Sequence, residues 1–172
     1  MLLNVKRLSQ VEARKLMMVY EESNVGNNKC FFPDNKDISK GKKAEEEKFL
    51  DYLSNDFFKL DNSVLYVWEE DKIWVSALRL YKINEKLYFL EALETHPGYR
   101  RKGYGKKLID NLIEELKQNG NFILKSYVYE NNIASLNTHL RCGFVEEEDR
   151  AFDYVDESYV DNSISLAFKY GV

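Results

Sequence analysis

Two cysteines and two prolines are all that the 172-residue sequence contains of either, and each scarcity removes a class of architecture. Cys30 and Cys142 stand far apart, so the sequence signals neither a disulfide framework nor a structural zinc site, and no metal is expected. Pro33 and Pro97 punctuate a chain without repeats, low-complexity tracts or Pro/Gly-rich linkers. With 44% hydrophobic residues, that length suits one buried core, and a single domain over residues 1–172 is expected. No apolar run approaches the ~18 residues that a membrane span needs. The first residues, Met1 to Arg7, lack a basic leader followed by an apolar core, so the expectation is a cytoplasmic protein. The formal charge of −4 offers no footprint for nucleic acid or an anionic membrane. A cationic or amine-bearing partner is easier to accommodate.

Aromatic residues make up 14% of the chain, and the apolar pattern orders the elements. A strand near Leu2 to Arg7 leads to the capping-box spelling Ser9-Gln10-Val11-Glu12, and Ala13, Leu16, Met17 and Tyr20 then repeat at helical spacing. After a polar loop holding Cys30-Phe31-Phe32-Pro33, a second helix is expected to bury Phe49, Leu50, Leu53 and Phe57, with Lys42, Lys43 and Glu45 to Glu47 on its wet face. From Ser63 to Thr95, aromatic and branched residues broken at Glu70-Asp71 and Asn84-Glu85 predict three antiparallel strands. Leu108, Ile109, Leu112, Ile113 and Leu116 form one helical stripe closed by Gly120. A strand follows from Phe122 to Tyr129, then a short helix from Asn132 to Cys142 that stops at Gly143. Two long strands joined near Asp156 to Tyr159 complete the chain.

The segment Arg100-Arg101-Lys102-Gly103-Tyr104-Gly105 lies directly after a strand and directly before a helix. Glycines let the backbone turn tightly, so the amides of the helix's first turn can face an anion together with the helix dipole. Arg101, Lys102, Lys106 and Lys107 add positive charge to a chain that is acidic overall. Gly98 to Gly103 has Walker-A spacing, but Tyr104 and Gly105 replace the Lys and Ser/Thr that a P-loop requires. Gly103 and Gly105 begin a dinucleotide fingerprint, but Leu108 occupies its third glycine and the preceding strands are antiparallel.

On the helix after Asn131, residues Asn132, Ser135 and His139 fall within about 60° of one another at ~100° per residue, a polar stripe expected to line a cleft. Ile133, Leu136 and Leu140 form the adjoining stripe, expected to face the core. Asn132 also suits an N-cap. An imidazole beside a cleft can donate a proton near neutrality.

Joined together, these pieces resemble the GNAT superfamily of N-acetyltransferases. The family's R/Q-x-x-G-x-G/A signature appears as Arg100-x-x-Gly103-x-Gly105, and its second signature, an Asn before a short helix ending in Gly-Phe, as Asn132 through Gly143-Phe144. The resemblance implies a mixed, mostly antiparallel sheet of about seven strands, splayed between strands 4 and 5, with about four helices on both faces. It implies acetyl-CoA as co-substrate, with its pantetheine arm against backbone groups around Leu93, Glu94 and Thr95. The turn from Arg100 through Arg101, Lys102, Gly103, Tyr104 and Gly105 to Lys106 would hold the pyrophosphate, and Asn132 with Ser135 would lie beside the pantetheine. Where the family usually has a tyrosine that protonates the departing thiolate, four residues before the Gly-Phe, this chain has His139; Tyr127 and Tyr129 are alternative donors.

In the direct transfer that the resemblance implies, an amine attacks the thioester, so the site must orient both and stabilise the developing oxyanion. The amide near Leu93 is the expected oxyanion donor, and Glu91 or Glu94 the base. Strand alternation places Glu91 with Phe89, Leu93 and Thr95, and Glu94 with Leu90 and Ala92 on the other face; Glu91 is preferred because its apolar neighbours would raise its pKa. The acceptor would meet Cys30 to Asp34 and the hairpin Phe152 to Tyr159, whose aromatic residues alternate with Asp153, Asp156 and Glu157 and suit a cationic amine. The expectation is a small-molecule amine acetyltransferase, monomeric or homodimeric. A non-catalytic acyl-CoA-binding module and a protein N-terminal or lysine acetyltransferase are the alternatives.

Overall fold

The computed structural model describes residues 1–24 and 38–172; the expected acceptor segment Cys30 to Asp34 lies outside the described residues. The elements run β1 (Leu2–Val5), α1 (Ala13–Val19), α2 (Ile38–Asn55), β2 (Ser63–Glu70), β3 (Ile73–Lys82), β4 (Leu87–Thr95), α3 (Tyr104–Lys117), β5 (Phe122–Tyr129), α4 (Ile133–Arg141), β6 (Val145–Asp153) and β7 (Ser158–Tyr170). The strands form one sheet in the order β1-β2-β3-β4-β5-β7-β6. Every neighbouring pair is antiparallel except β4 with β5. That parallel pairing is confined to Leu87–Ile123, Tyr88–Leu124 and Phe89–Lys125, after which the two strands diverge. The mixed seven-stranded sheet and its splay between the fourth and fifth strands agree with the sequence expectation.

Two cores lie on opposite faces of this sheet. On one, the α3 stripe of Leu108, Ile109, Leu112, Ile113 and Leu116 packs against Leu78, Leu80, Leu90 and Leu124, with Cys142 and Phe144 beyond α4. On the other, Leu16, Met17 and Val19 of α1 and Leu53 of α2 cover Leu65, Val67, Trp74, Ala77 and Phe89. Full burial of each such side chain is worth about 1.5–3 kcal/mol. These faces, rather than local propensity, hold the helices in place.

Several local expectations are corrected. Ser9 does not cap α1: it lies in a 3-10 turn, Leu8–Gln10, and the helix starts after Glu12 without a side-chain cap. The competing local bond is from the Lys6 amide to Gln10 Oε1, 2.9 Å. Phe57 is buried as expected, but in a 3-10 turn beyond the end of α2. The stripe of α4 assigned to the core is partly wrong, because Ile133 is 56% and Leu140 37% exposed. The helix instead turns His139 and Leu136 inward, toward Phe144 and the first core. The cause lies at its end, where Gly143 takes φ +88 and the Phe144 amide returns to the His139 carbonyl, seating Phe144 under the helix.

Candidate active site

The turn before α3 is built on glycine. Gly103, the N-cap, has φ +80, where a Cβ costs about 1–2 kcal/mol; nothing lies within 4 Å of the Cβ it would carry, so backbone freedom is the whole requirement. Gly105 differs: a Cβ there would make ordinary contacts with Thr95 Oγ1 at 3.4 Å, Thr138 Cγ2 at 3.7 Å and Leu93 Cδ2 at 3.8 Å, leaving no room for a larger side chain. β4, α3 and α4 converge at this point.

Among the described residues, none of the amides from Arg101 to Lys106 donates to a protein acceptor, as a helix's first turn requires. They border a cavity of about 620 Å³, at the positive end of the α3 dipole. Leu93, Glu94 and Thr95 form one wall of this cavity, the turn from Arg100 to Lys106 its end, and Asn132, Ser135, Thr138 and Arg141 the other wall. Unpaired amides flanked by Arg101, Lys106 and Arg141 can hold a diphosphate.

Most residues singled out in the sequence meet here: Leu93, Glu94, Thr95, Arg100, Arg101, Gly103, Tyr104, Gly105, Lys106, Asn132 and Ser135 all line the cavity. Lys102 does not; its Nζ donates to the Gly98 carbonyl at 3.3 Å and sits 4.9 Å from the Tyr99 ring centre. Lys107 also turns away, over the Trp68 ring at 4.4 Å. Arg100 is tied back to protein, its Nε donating to the Thr95 carbonyl at 3.2 Å and its guanidinium pairing with Glu22 and Glu94. Asn132 caps α4 through the Ser135 amide, 3.1 Å. Sequence reasoning missed Thr138 and Arg141, although they stand four and seven residues after Ala134 and so share its helix face. It also missed Glu22 and Ser23, which approach the cavity from the α1 side.

His139 is the clearest correction. Its ring is 1% exposed and lies outside the cavity lining, with Nδ1 2.9 Å from the Ser135 carbonyl, Nε2 3.4 Å from Ser126 Oγ, and its plane edge-on to Phe144. Burial pushes its pKa below the ordinary histidine value, so it is a neutral packing residue. Tyr127 donates to Asp153 at 3.1 Å, and burial raises its phenol well above the usual range.

The alternation expected along β4 is broken by a bulge. Its ladder with β3 pairs Arg79 with Glu91 and Ala77 with Glu94, so Ala92 and Leu93 together stand opposite Leu78, and Ala92 takes φ +51. The extra residue flips the faces beyond it. Leu93 joins Leu90 on the α3 side, and Glu94 joins Glu91 on the α1 side, where Ser23 Oγ donates to it. Both carboxyls have pKa values raised primarily by burial.

Glu91 opens on a second cavity of about 260 Å³, lined also by Tyr52, Arg79, Asp153, Val155 and Asp156. Tyr81 donates to Glu91 Oε1 at 2.8 Å. Arg79 Nε lies 2.9 Å from the same oxygen, an ion pair whose direction does not complete a hydrogen bond. Asp153 accepts the amides of Val155 and Asp156 at 2.8 and 3.0 Å. The cavity thus gathers three carboxylates against one guanidinium. Among the described residues no helix is long and apolar enough to cross a membrane.

Comparison with known proteins identifies the family. The family model described as acetyltransferase (GNAT) family matches residues 28–144. The curated L-amino acid N-acyltransferase MnaT of Escherichia coli (strain K12) is 38% identical over 50 residues, a stretch that spans 29% of this chain and 29% of that protein. Among solved structures, the PaiA N-acetyltransferase of Thermoplasma acidophilum in complex with coenzyme A superposes with a TM-score of 0.65 at 17% identity over 99% of both chains. The N-acetyltransferase PseH of Campylobacter jejuni in complex with acetyl coenzyme A gives a TM-score of 0.61 at 14% identity, over 98% of this chain and 99% of that one. The family match covers well over half of the sequence: the chain belongs to the GNAT family of acetyltransferases.

Proposed function

We propose that the protein moves the acetyl group of acetyl-CoA to the primary amine of a small cationic molecule by direct attack in a ternary complex. The observation that carries this reading is the position of the Ala92 bulge between two cavities: Glu91 lines the acidic one and Leu93 the one at the glycine turn. The first-turn amides of α3, with Arg101, Lys106 and Arg141, hold the diphosphate. The β4 backbone at Leu93 and Thr95 pairs with the pantetheine arm, while Asn132, Ser135 and Thr138 flank it. Acetyl-CoA supplies an activated acyl group when bound.

In the acidic cavity, Asp153 and Asp156 attract the ammonium. Glu91, made more basic by burial, takes its proton. The free nitrogen forms a bond to the carbonyl carbon, the Leu93 amide donates to the carbonyl oxygen as it gains charge, and the carbon–sulfur bond breaks. As the carbonyl re-forms, the acylated nitrogen gives up its second proton to water. The departing thiolate, whose thiol titrates at ~8.5, takes a proton from water, so the neutral amide and the free thiol result without an acid from α4. The rival reading, a non-catalytic acyl-CoA-binding module, draws on the burial of His139.

The test is mass spectrometry after incubation with acetyl-CoA and a panel of diamines, aminoglycosides, amino acids, their amides and short peptides. Acetylated diamines or amino-acid amides are the expected products. Products confined to free amino acids or peptides would replace the cationic acceptor, and acetyl-CoA binding without any product would favour the non-catalytic module.

A further inference from the structure

We infer that Tyr20 is a positioning residue that aims the Leu93 amide at the thioester oxygen, an inference that rests on the acyl-transfer reading above. The ladder does not orient the peptide between Ala92 and Leu93. Neither residue has a partner on β3, and the pairing of β4 with β5 ends at Phe89. Ala92 also occupies a left-handed conformation, φ +51, that an alanine adopts only against a cost and holds only when its surroundings impose it.

Tyr20 provides that hold. Its hydroxyl donates to the Ala92 carbonyl at 2.9 Å. The side chain is 5% exposed, and its ring packs on Phe49 of α2 with centres 5.0 Å apart, so the donor is anchored by helices on one face of the sheet. Burial raises the phenol pKa far above neutrality, which keeps the proton on the donor throughout the working pH range.

The peptide bond then carries the effect across the sheet. The chain has no cis peptide among the described residues, and in a trans peptide the carbonyl and the following N–H point in opposite directions. A carbonyl drawn toward α1 turns the Leu93 N–H away from α1, toward the cavity at the glycine turn that Leu93 lines. Tyr20 touches neither substrate; it acts through the Ala92–Leu93 plane.

The test compares Tyr20→Phe with Tyr66→Phe in the full chain. Tyr66→Phe removes a hydrogen bond of similar length, 2.8 Å to Glu115, on the opposite face. A complete oxyanion donor is worth ~10²–10³ in rate, so loosening one should lower kcat by about tenfold or more. The KM for acetyl-CoA and the shape of the pH profile should not change, and Tyr66→Phe should lower stability comparably with kcat intact. Wild-type kcat in Tyr20→Phe, or equal losses in both variants, overturns the inference. Amide exchange of Leu93 gives a reading independent of turnover: faster exchange in Tyr20→Phe supports the clamp, and unchanged exchange overturns it. If the wild type transfers no acetyl group, the acyl-transfer reading fails, and the exchange measurement still decides the clamp.

Discussion

Replacing His139 with alanine should damage the fold and spare the chemistry. The ring is 1% exposed, so its removal leaves a cavity beside Phe144, and it gives up the 2.9 Å contact with the Ser135 carbonyl and the 3.4 Å contact with Ser126 Oγ. Cavity creation contributes about 2 kcal/mol or more and the lost hydrogen bond about 1 kcal/mol. A total of about 3 kcal/mol corresponds to a Tm lowered by roughly 6–12 °C at this chain length. The pH dependence has a definite sign. Burial lowers the folded pKa below 6.5, so below that value the unfolded chain binds the extra proton, and stability falls as pH falls from 6.5 toward the folded pKa. His139→Ala lacks this decline. The assay pairs thermal denaturation across pH with initial rates at saturating substrates, well below either Tm. The reasoning predicts kcat within about twofold of wild type, since a removed acid would cost ~10²-fold or more. A loss of that size with an unchanged Tm would refute it and return the imidazole to the reaction.

Gly105→Leu should abolish acetyl-CoA binding by calorimetry, because its side chain fills the space between Leu93, Thr95 and Thr138, whereas Gly105→Ala makes only ordinary contacts and should bind; equal affinity in both would contradict the cavity assignment. The Glu91 pKa lies above its ordinary 4.5, so kcat/KM should fall as pH drops through the raised value, and Glu91→Gln should lose that acid limb together with ~10²–10⁴ of rate. A limb that survives in Glu91→Gln would transfer the base role to Glu94, whose pKa is also raised. Asp156→Asn should raise the KM of the amine several-fold, in a salt-sensitive way, and leave the KM of acetyl-CoA alone; the opposite pattern would move the acceptor elsewhere.

The element order and the anion turn were legible because their signals are local. Gly103 and Gly105 sit beside cations at a strand-to-helix junction, and the α3 stripe repeats at helical spacing. The bulge was not legible. It depends on the register of β3 against β4, and Ala92, unlike a glycine, gives no warning of a positive φ. Glu94 was therefore placed on the wrong face. The rotation of α4 was hidden for a related reason: three apolar residues, Ile133, Leu136 and Leu140, outvoted His139, while the Gly143-Phe144 turn at the end of the helix decided which side faces in. The acidic cavity joins α2, β3, β4 and the β6–β7 hairpin, and no single stretch of sequence spells such a meeting.

Initial-rate kinetics with acetyl-CoA and an accepted amine both varied, together with the intact mass of the protein after acetyl-CoA alone, address the central claim most directly. The direct transfer proposed above, with donor and acceptor meeting across the Ala92 bulge, predicts intersecting double-reciprocal lines and an unmodified protein. Parallel lines and an acetylated protein would contradict direct transfer.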